Sequence, residues 1–503
     1  MKAIILAAGI GRRMRPLTDH CHKTLLEVGG QTIMGRILEG LVANGITEVC
    51  IVTGYRADEV EDYVTREFGH LRCTFVRNEK FDSTNNIFSM ALALEKIDLD
   101  SDVILIESDL LYHPSVITRL LKSDHPNVAL VDKYRTGMDG TVVSVSSDNV
   151  ITQVIPSSLQ ATNFDFSDKY KTLNIYKFSA DFCRTTFRKL LGYYARTIDG
   201  NCYYELILGI LIYMQQVQVH AETLDGEVWA EVDDANDLRA ATFAFVPTDR
   251  RRQLESSWGG YWQTPVTDYA FIRNMYFPTS SMMSQLRASL PELVTNYGSA
   301  QALLNEKLGY FLQCDPRHVQ LLNGAAQFLS PILQRRLRPD RVLLPEPTFG
   351  EYPRLFPHAS TYGDRGGIDL DEVKQKAADV DLVVIVNPNN PTGTTVGTED
   401  VHELAALLPD KTLLVDESFI EFSGVPSVVP WAEETDATNV VVLKSLSKSL
   451  GVPGLRLGYV FSTDRDLVRQ IGNELPVWNV NSIAEYFLEI ILKYRGELDE
   501  SVA

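Results

Sequence analysis

Residues 5–26 read ILAAGIGRRMRPLTDHCHKTLL, and this stretch decides the fold of the first half of the chain. Ile4, Ile5 and Leu6 form an apolar strand that runs into a turn of small residues, Ala7, Ala8, Gly9 and Gly11. Arg12, Arg13, Arg15 and Lys23 follow at once. Glycine lets a backbone come close to a polyphosphate with its N–H groups aimed at it. Arginine supplies forked charged donors and lysine a point charge, and phosphates take both. The order strand, small turn, basic cluster therefore predicts a phosphate-binding loop.

Outward from that loop, residues 1–245 alternate short β-rich runs with helical patterns. KAIILAAG, EVCIVTG, CTFVRN and DVILIESD read as strands; TIMGRILEGLVANG and ADEVEDYVTREFG read as helices. Such alternation predicts an α/β fold with a mostly parallel sheet, whose ligands sit at the carboxyl ends of strands. Residues 246–260 turn polar and charged and are expected to be an interdomain linker. A second α/β alternation fills 261–503, with strands HVQLLNG, RVLLPE, DLVVIVNP, TLLVDES and NVVVLKS. The chain of 503 residues has a net charge of -19, which excludes a general nucleic-acid or anionic-membrane binder because nothing long-range attracts phosphate. Six scattered cysteines and no long apolar run are expected of a reduced, cytoplasmic protein.

Two carboxylate clusters accompany the opening loop. Asp109 closes the strand DVILIESD, and Glu231 and Asp233 point the same way if their segment is extended. Oxygen ligands of this kind suit Mg²⁺, which neutralises the charge moved in phosphoryl transfer. Asn78, Asn85 and Asn86 could read a pyrimidine edge with their amides, or could cap and turn the chain. Lys133, Asp139, Tyr203, Tyr204 and Glu205 are candidates for an acceptor site, the aromatic pair and carboxylate as an ammonium pocket.

The opening segment closely resembles the signature of the sugar-phosphate nucleotidyltransferases, G-x-G-x-R-x-x-P-L-T followed by P-K-x-L-L, with His22 standing where that family has proline. Residues 84–89, together with Thr53-Gly54-Tyr55, Asp109 and the late E-x-D, resemble the phosphocholine and 2-aminoethylphosphonate cytidylyltransferases of that superfamily. The resemblance implies a Rossmann-like domain that transfers CMP from CTP to a small phosphonate or phosphate monoester. Ala8, Gly9 and Gly11 would then hold the nucleotide, and Arg13 and Lys23 its phosphates.

The second half carries its own motif. Ser445-Leu446-Ser447-Lys448 is followed by Arg456, and Asn387-Pro388-Asn389-Asn390-Pro391-Thr392-Gly393 and Val415-Asp416-Glu417 each close a strand. These resemble the fold-type I PLP-dependent aminotransferases of class I/II, closest to threonine-phosphate decarboxylases and histidinol-phosphate aminotransferases. By that resemblance Lys448 is the Schiff-base lysine, and Ser445, Ser447 and Arg456 hold the phosphate with the turn at Ala325 and Ala326. Asn390 meets the ring's phenolic oxygen, Asp416 its nitrogen, and Phe349 stacks on it. A homodimer through this domain is also implied. The family's final segment, with its carboxylate-binding arginine, is expected to be missing after residue 503, leaving Arg495, Arg273 or Arg287 as substitutes.

An amine-forming site beside a cytidylyltransferase favours an aminoalkylphosphonate as the shared metabolite, in one bifunctional enzyme. Two alternatives stand: a sugar-phosphate nucleotidyltransferase joined to an amino-sugar-forming aminotransferase, or a second half that serves only as a dimerisation scaffold.

Overall fold

The computed structural model describes residues 1–161, 164–264, 266–329 and 341–502. It divides the chain into two compact units, Met1–Thr267 and Asp268–Ala503. The polar run expected to be a linker is largely helical. Arg250–Ser257 forms a helix with Arg250 bonded back to the carbonyls of Phe243 and Ala244, and the division falls beyond it.

In the first unit a 9-stranded sheet runs Ile151–Ile155, Val142–Val145, Tyr170–Phe178, Val103–Glu107, Lys2–Ala7, Glu48–Thr53, Arg72–Arg77, with Val128–Lys133 also paired to Tyr170–Phe178 and His220–Thr223 paired to Val128–Lys133. All four expected strands are present. Lys2–Ala7 lies parallel to both Glu48–Thr53 and Val103–Glu107, and Tyr170–Phe178 joins antiparallel. Ile4 and Ile5 are fully buried, pointing to opposite faces, as expected of a strand covered by helices on both sides. One face packs against Ile33–Ala43 and the other against Asn86–Lys96 and Tyr204–Tyr213.

The second unit holds a 7-stranded sheet ordered Val319–Asn323, Leu457–Phe461, Val440–Ser445, Thr412–Asp416, Leu382–Val386, Val342–Glu346, Ser360–Gly363. Leu382–Val386 and Thr412–Asp416 are parallel and almost wholly buried, so their apolar runs lack any polar alternation. Leu457–Phe461 runs antiparallel to both neighbours. Among the described residues no helix is long and apolar enough to cross a membrane.

Candidate functional site

In the first unit the carboxyl end of Lys2–Ala7 opens into the glycine turn. Gly11 adopts a left-handed conformation (φ 64°), and its carbonyl accepts the Thr18 hydroxyl at 2.9 Å, which holds the loop closed. Gly54 lies against this loop: a Cβ there would come within 2.8 Å of the Ala8 carbonyl oxygen, so only glycine allows the approach. His22 caps the following turn by accepting the Thr24 N–H on Nδ1 at 3.2 Å. Burial, helped by the charge of Lys23, pushes its imidazole down to about 4, so the ring is neutral. Proline could supply the backbone angle at this position but not the acceptor.

The turn delivers Lys23 to the centre of the site. Its Nζ donates to Asp109 Oδ2 at 2.9 Å and Asp233 Oδ1 at 2.8 Å. Arg13 reaches the other oxygen of Asp233 at 2.7 Å and stands 3.7 Å from Asp139. Burial disfavours the charged lysine, but the two carboxylates outweigh it and raise its pKa. Asp233 is correspondingly held below the usual carboxylate range: burial opposes this, and Lys23 and Arg13 prevail. These carboxylates, 124 residues apart in sequence, meet because Trp229–Glu231 pairs antiparallel with Leu110–Tyr112, and Val232 donates its N–H to the Asp109 carbonyl at 2.9 Å.

Glu231 points elsewhere. Its oxygens accept from Lys171 at 2.9 Å and Asn174 at 3.2 Å. Burial raises it to about 7; Lys171 opposes the rise, and Asp109 and Asp233 add to it. The expected carboxylate trio for metal is therefore split, and no group of three His, Cys, Asp or Glu side chains among the described residues is arranged to hold an ion. The fit to Mg²⁺ rests on Asp109. Its Oδ1 is buried without a hydrogen-bond partner, an open anionic ligand beside Asp233.

The asparagines expected to read a base are committed internally. Asn78 donates to Thr84 and Ser89, each at 3.1 Å, and accepts from the Lys80 N–H. Asn86 donates to Glu107 at 3.1 Å and accepts the Tyr204 N–H at 2.9 Å. Asn85 caps the helix Asn86–Lys96 and remains partly exposed. The expected aromatic ammonium wall does not form. Tyr204 is fully buried, edge-on to Tyr176, whereas Tyr203 is 58% exposed. Glu205 is buried beside Asn86 and Glu107, and burial with Glu205 and Asp109 close by raises the Glu107 carboxyl well above its ordinary range. Helical spacing sends consecutive residues in different directions, which the adjacent letters could not reveal. Lys133 lies exposed at a strand end. Lys171, Asn174, Asp132 and Trp229 were missed, for want of any local motif. They line or border a cavity of about 480 Å³ next to Asp233.

The second unit gathers its motif residues at the carboxyl ends of its parallel strands. Gly324 turns with φ 79°, and a Cβ there would meet the Arg456 guanidinium at 2.5 Å. Arg456 thus underlies the turn at Ala325 and Ala326, and the cradle of guanidinium, backbone N–H groups and nearby Ser445 fits a phosphate. Ser447 is buried, its hydroxyl on the Leu457 carbonyl. Burial, Arg456 and Arg273 lower the pKa of Lys448, favouring the neutral amine, and its Nζ lies 5.8 Å from the centre of the Phe419 ring. Asp416 is buried, with one oxygen accepting from Ser418 at 2.6 Å and the other from the Tyr352 hydroxyl at 2.7 Å. Asn389 is anchored on Asp364 and the Pro347 carbonyl, leaving Asn390 partly exposed. Phe349 is 41% exposed and set edge-on to Tyr352. These residues fit pyridoxal phosphate. Arg495 is used otherwise: it donates to the Phe311 carbonyl at 2.7 Å near the end of the helix Gln301–Leu312.

Residues 3–164 match the family described as MobA-like NTP transferase domain, and residues 274–500 the family described as aminotransferase class I and II. Over 514 residues the chain is 33% identical to the CMP-5'-(3-aminopropyl)phosphonate synthase of Streptomyces rubellomurinus, spanning 100% of this chain and 80% of that protein. It is 30% identical over 220 residues to the L-serine phosphate decarboxylase of Sulfurospirillum multivorans, covering 40% of this chain and 55% of that one. Among solved structures, CTP:phosphocholine cytidylyltransferase from Streptococcus pneumoniae aligns with a TM-score of 0.39 at 22% identity, over 47% of this chain and 96% of its own.

Proposed function

Since the chain belongs to the family of fused nucleotidyltransferase–aminotransferase proteins that includes the Streptomyces synthase, we propose that it is a bifunctional enzyme of aminophosphonate metabolism. The first unit transfers CMP from CTP to a short aminoalkylphosphonate and releases pyrophosphate. The observation that carries this is the lysine bridge from Lys23 to Asp109 and Asp233, with Arg13 alongside, at the end of the glycine turn. Arg13 and Lys23 bind the triphosphate and counter the charge that develops on the leaving pyrophosphate. Asp109 offers its unpartnered oxygen to Mg²⁺, with Asp233 beside it. Magnesium supplies further charge neutralisation there.

The second unit acts on an amino-acid-like substrate of the same route, as an aminotransferase or decarboxylase. Pyridoxal phosphate, when bound, supplies the electron sink for either reaction. Lys448, its pKa lowered by burial and by Arg456 and Arg273, is placed to carry the cofactor and move a proton, and Asp416 suits a protonated ring nitrogen. A homodimer through this unit, and a cytoplasmic setting consistent with six cysteines outside any disulfide, complete the proposal.

The test is pyrophosphate release from CTP and Mg²⁺ with 3-aminopropylphosphonate, 2-aminoethylphosphonate, phosphocholine and glucose 1-phosphate in parallel. Turnover fastest with an aminoalkylphosphonate is expected. Preference for the sugar phosphate would overturn the reading.

A further inference from the structure

The cavity beside Asp233 is built at some cost in the local fold. Lys171 is only 2% exposed, on the long strand Tyr170–Phe178. The register of that strand shifts between Thr172 and Tyr176, and Asn174 takes a left-handed conformation (φ 58°). Such a bulge breaks the two-residue alternation and re-aims side chains. It brings Lys171 and Asn174, three residues apart, onto the same Glu231 carboxylate. Gly140 roofs the ammonium. It has φ 88°, and a Cβ there would lie 3.2 Å from Lys171 Nζ. Burying a lysine is unfavourable unless something anionic compensates; here Glu231 is the direct partner, and Glu107 and Glu205 add their charge from further off.

The far wall has the opposite character. Trp229 Nε1 donates to Asp132 Oδ2 at 2.8 Å, and Arg135 reaches the same oxygen at 2.6 Å. Carboxylates outnumber cations in the cavity lining. A ligand that brought only negative charge would meet net repulsion, whereas one with an anion at one end and an ammonium at the other is matched at both.

We infer that this cavity is the acceptor site, that Lys171 holds the phosphonate, and that the Asp132–Trp229 wall selects the ammonium group of a zwitterionic aminoalkylphosphonate. The inference rests on the cytidylyl-transfer reading above. It replaces the aromatic pair Tyr203 and Tyr204 with the cavity lined by Lys171, Asp132 and Trp229. The indole face attracts an ammonium, and Asp132, relieved of exposed Arg135, pairs with it.

The experiment compares 3-aminopropylphosphonate with propylphosphonate, which lacks only the amine. Wild-type kcat/KM is expected to favour the amine at least ten-fold. Lys171→Met should raise the KM of both acceptors ten-fold or more while CTP binding, read by calorimetry, stays unchanged. Asp132→Asn should abolish the preference for the amine and leave propylphosphonate turnover intact. Should Lys171→Met fail to fold, Gly140→Ala tests the same space, since its methyl crowds the ammonium and should raise acceptor KM selectively. An unchanged amine preference in Asp132→Asn, or a Lys171→Met defect confined to CTP, overturns the inference while the transfer reading survives. Wild-type protein that binds CTP but transfers it to no phosphonate overturns the reading; calorimetric binding of 3-aminopropylphosphonate, lost in Lys171→Met if the inference holds, would still decide the site.

Discussion

Replacing Lys23 with methionine keeps the length of the side chain and removes its charge. In the folded protein Asp109 and Asp233 then face each other with no cation between them, although both touched the same nitrogen, at 2.9 and 2.8 Å. Two such charges about 5 Å apart at an effective dielectric of about 20 repel by about 3 kcal/mol. That agrees with the roughly 3–5 kcal/mol commonly lost when one partner of a buried ion pair is removed. Lys23→Met should therefore unfold at distinctly lower urea, measured by far-UV circular dichroism on the full chain. Lys23→Met with Asp233→Asn should recover most of the stability, because the repulsion is gone. Pyrophosphate release should fall about a hundred-fold or more in Lys23→Met and stay low in the double variant, since the phosphate-binding cation is still absent. The sign of the pH dependence follows from the same charges. In the wild type Asp233 is held below its ordinary range, so its contribution to stability is present above about pH 4 and lost as the pH falls through the lower folded value. In Lys23→Met the larger of the two cations holding Asp233 down is lost, and the deficit of the variant should shrink as the pH approaches about 4. A Lys23→Met protein with normal turnover, or an instability that Asp233→Asn does not relieve, would refute the bridge as described.

Three further outcomes are expected. Gly54→Ala places a methyl within 2.8 Å of the Ala8 carbonyl oxygen and should destabilise the first unit by about 1–3 kcal/mol, read as a lower Tm. Tyr352→Phe removes the hydrogen bond to Asp416; a bond to a charged group contributes about 1.5–3 kcal/mol, so titration of the apoprotein with pyridoxal phosphate should show at least ten-fold weaker binding, with the visible band still formed. Glu231, raised to about 7 by burial, gives stability that is full below the ordinary glutamate range and lost as the pH rises through about 7; Glu231→Gln should flatten that decline in urea midpoints measured from pH 5 to 8.

Much of this was legible in the letters. Strand cores such as Ile4–Ile5 and Leu382–Val386 are set by runs of apolar residues that only a doubly covered sheet can bury, and all the expected central strands are found. The phosphate-binding motifs were legible because each is a short local run, at Gly9–Lys23 and at Ser445–Arg456, although the second cradle is completed by the distant turn at Gly324. The polarity of residues 246–260 marks exposure but not conformation, and Arg250–Ser257 is an exposed helix.

What the sequence determined by itself was thus the fold of each half and the residues of its local loops, because strand burial and turn chemistry act between near neighbours. What only the tertiary structure decided was which distant groups share a charge. Lys23 bridges Asp109 and Asp233 because a short antiparallel pairing joins two segments far apart in the chain. Glu231, two residues from Asp233, turns instead to Lys171 because a bulge in another strand presents that lysine to it. Tyr203 and Tyr204 part company because one ends in the core and the other in solvent. Coulomb energies and burial depend on distance through space, and no spacing along the chain encodes that once three separate segments converge on one cavity.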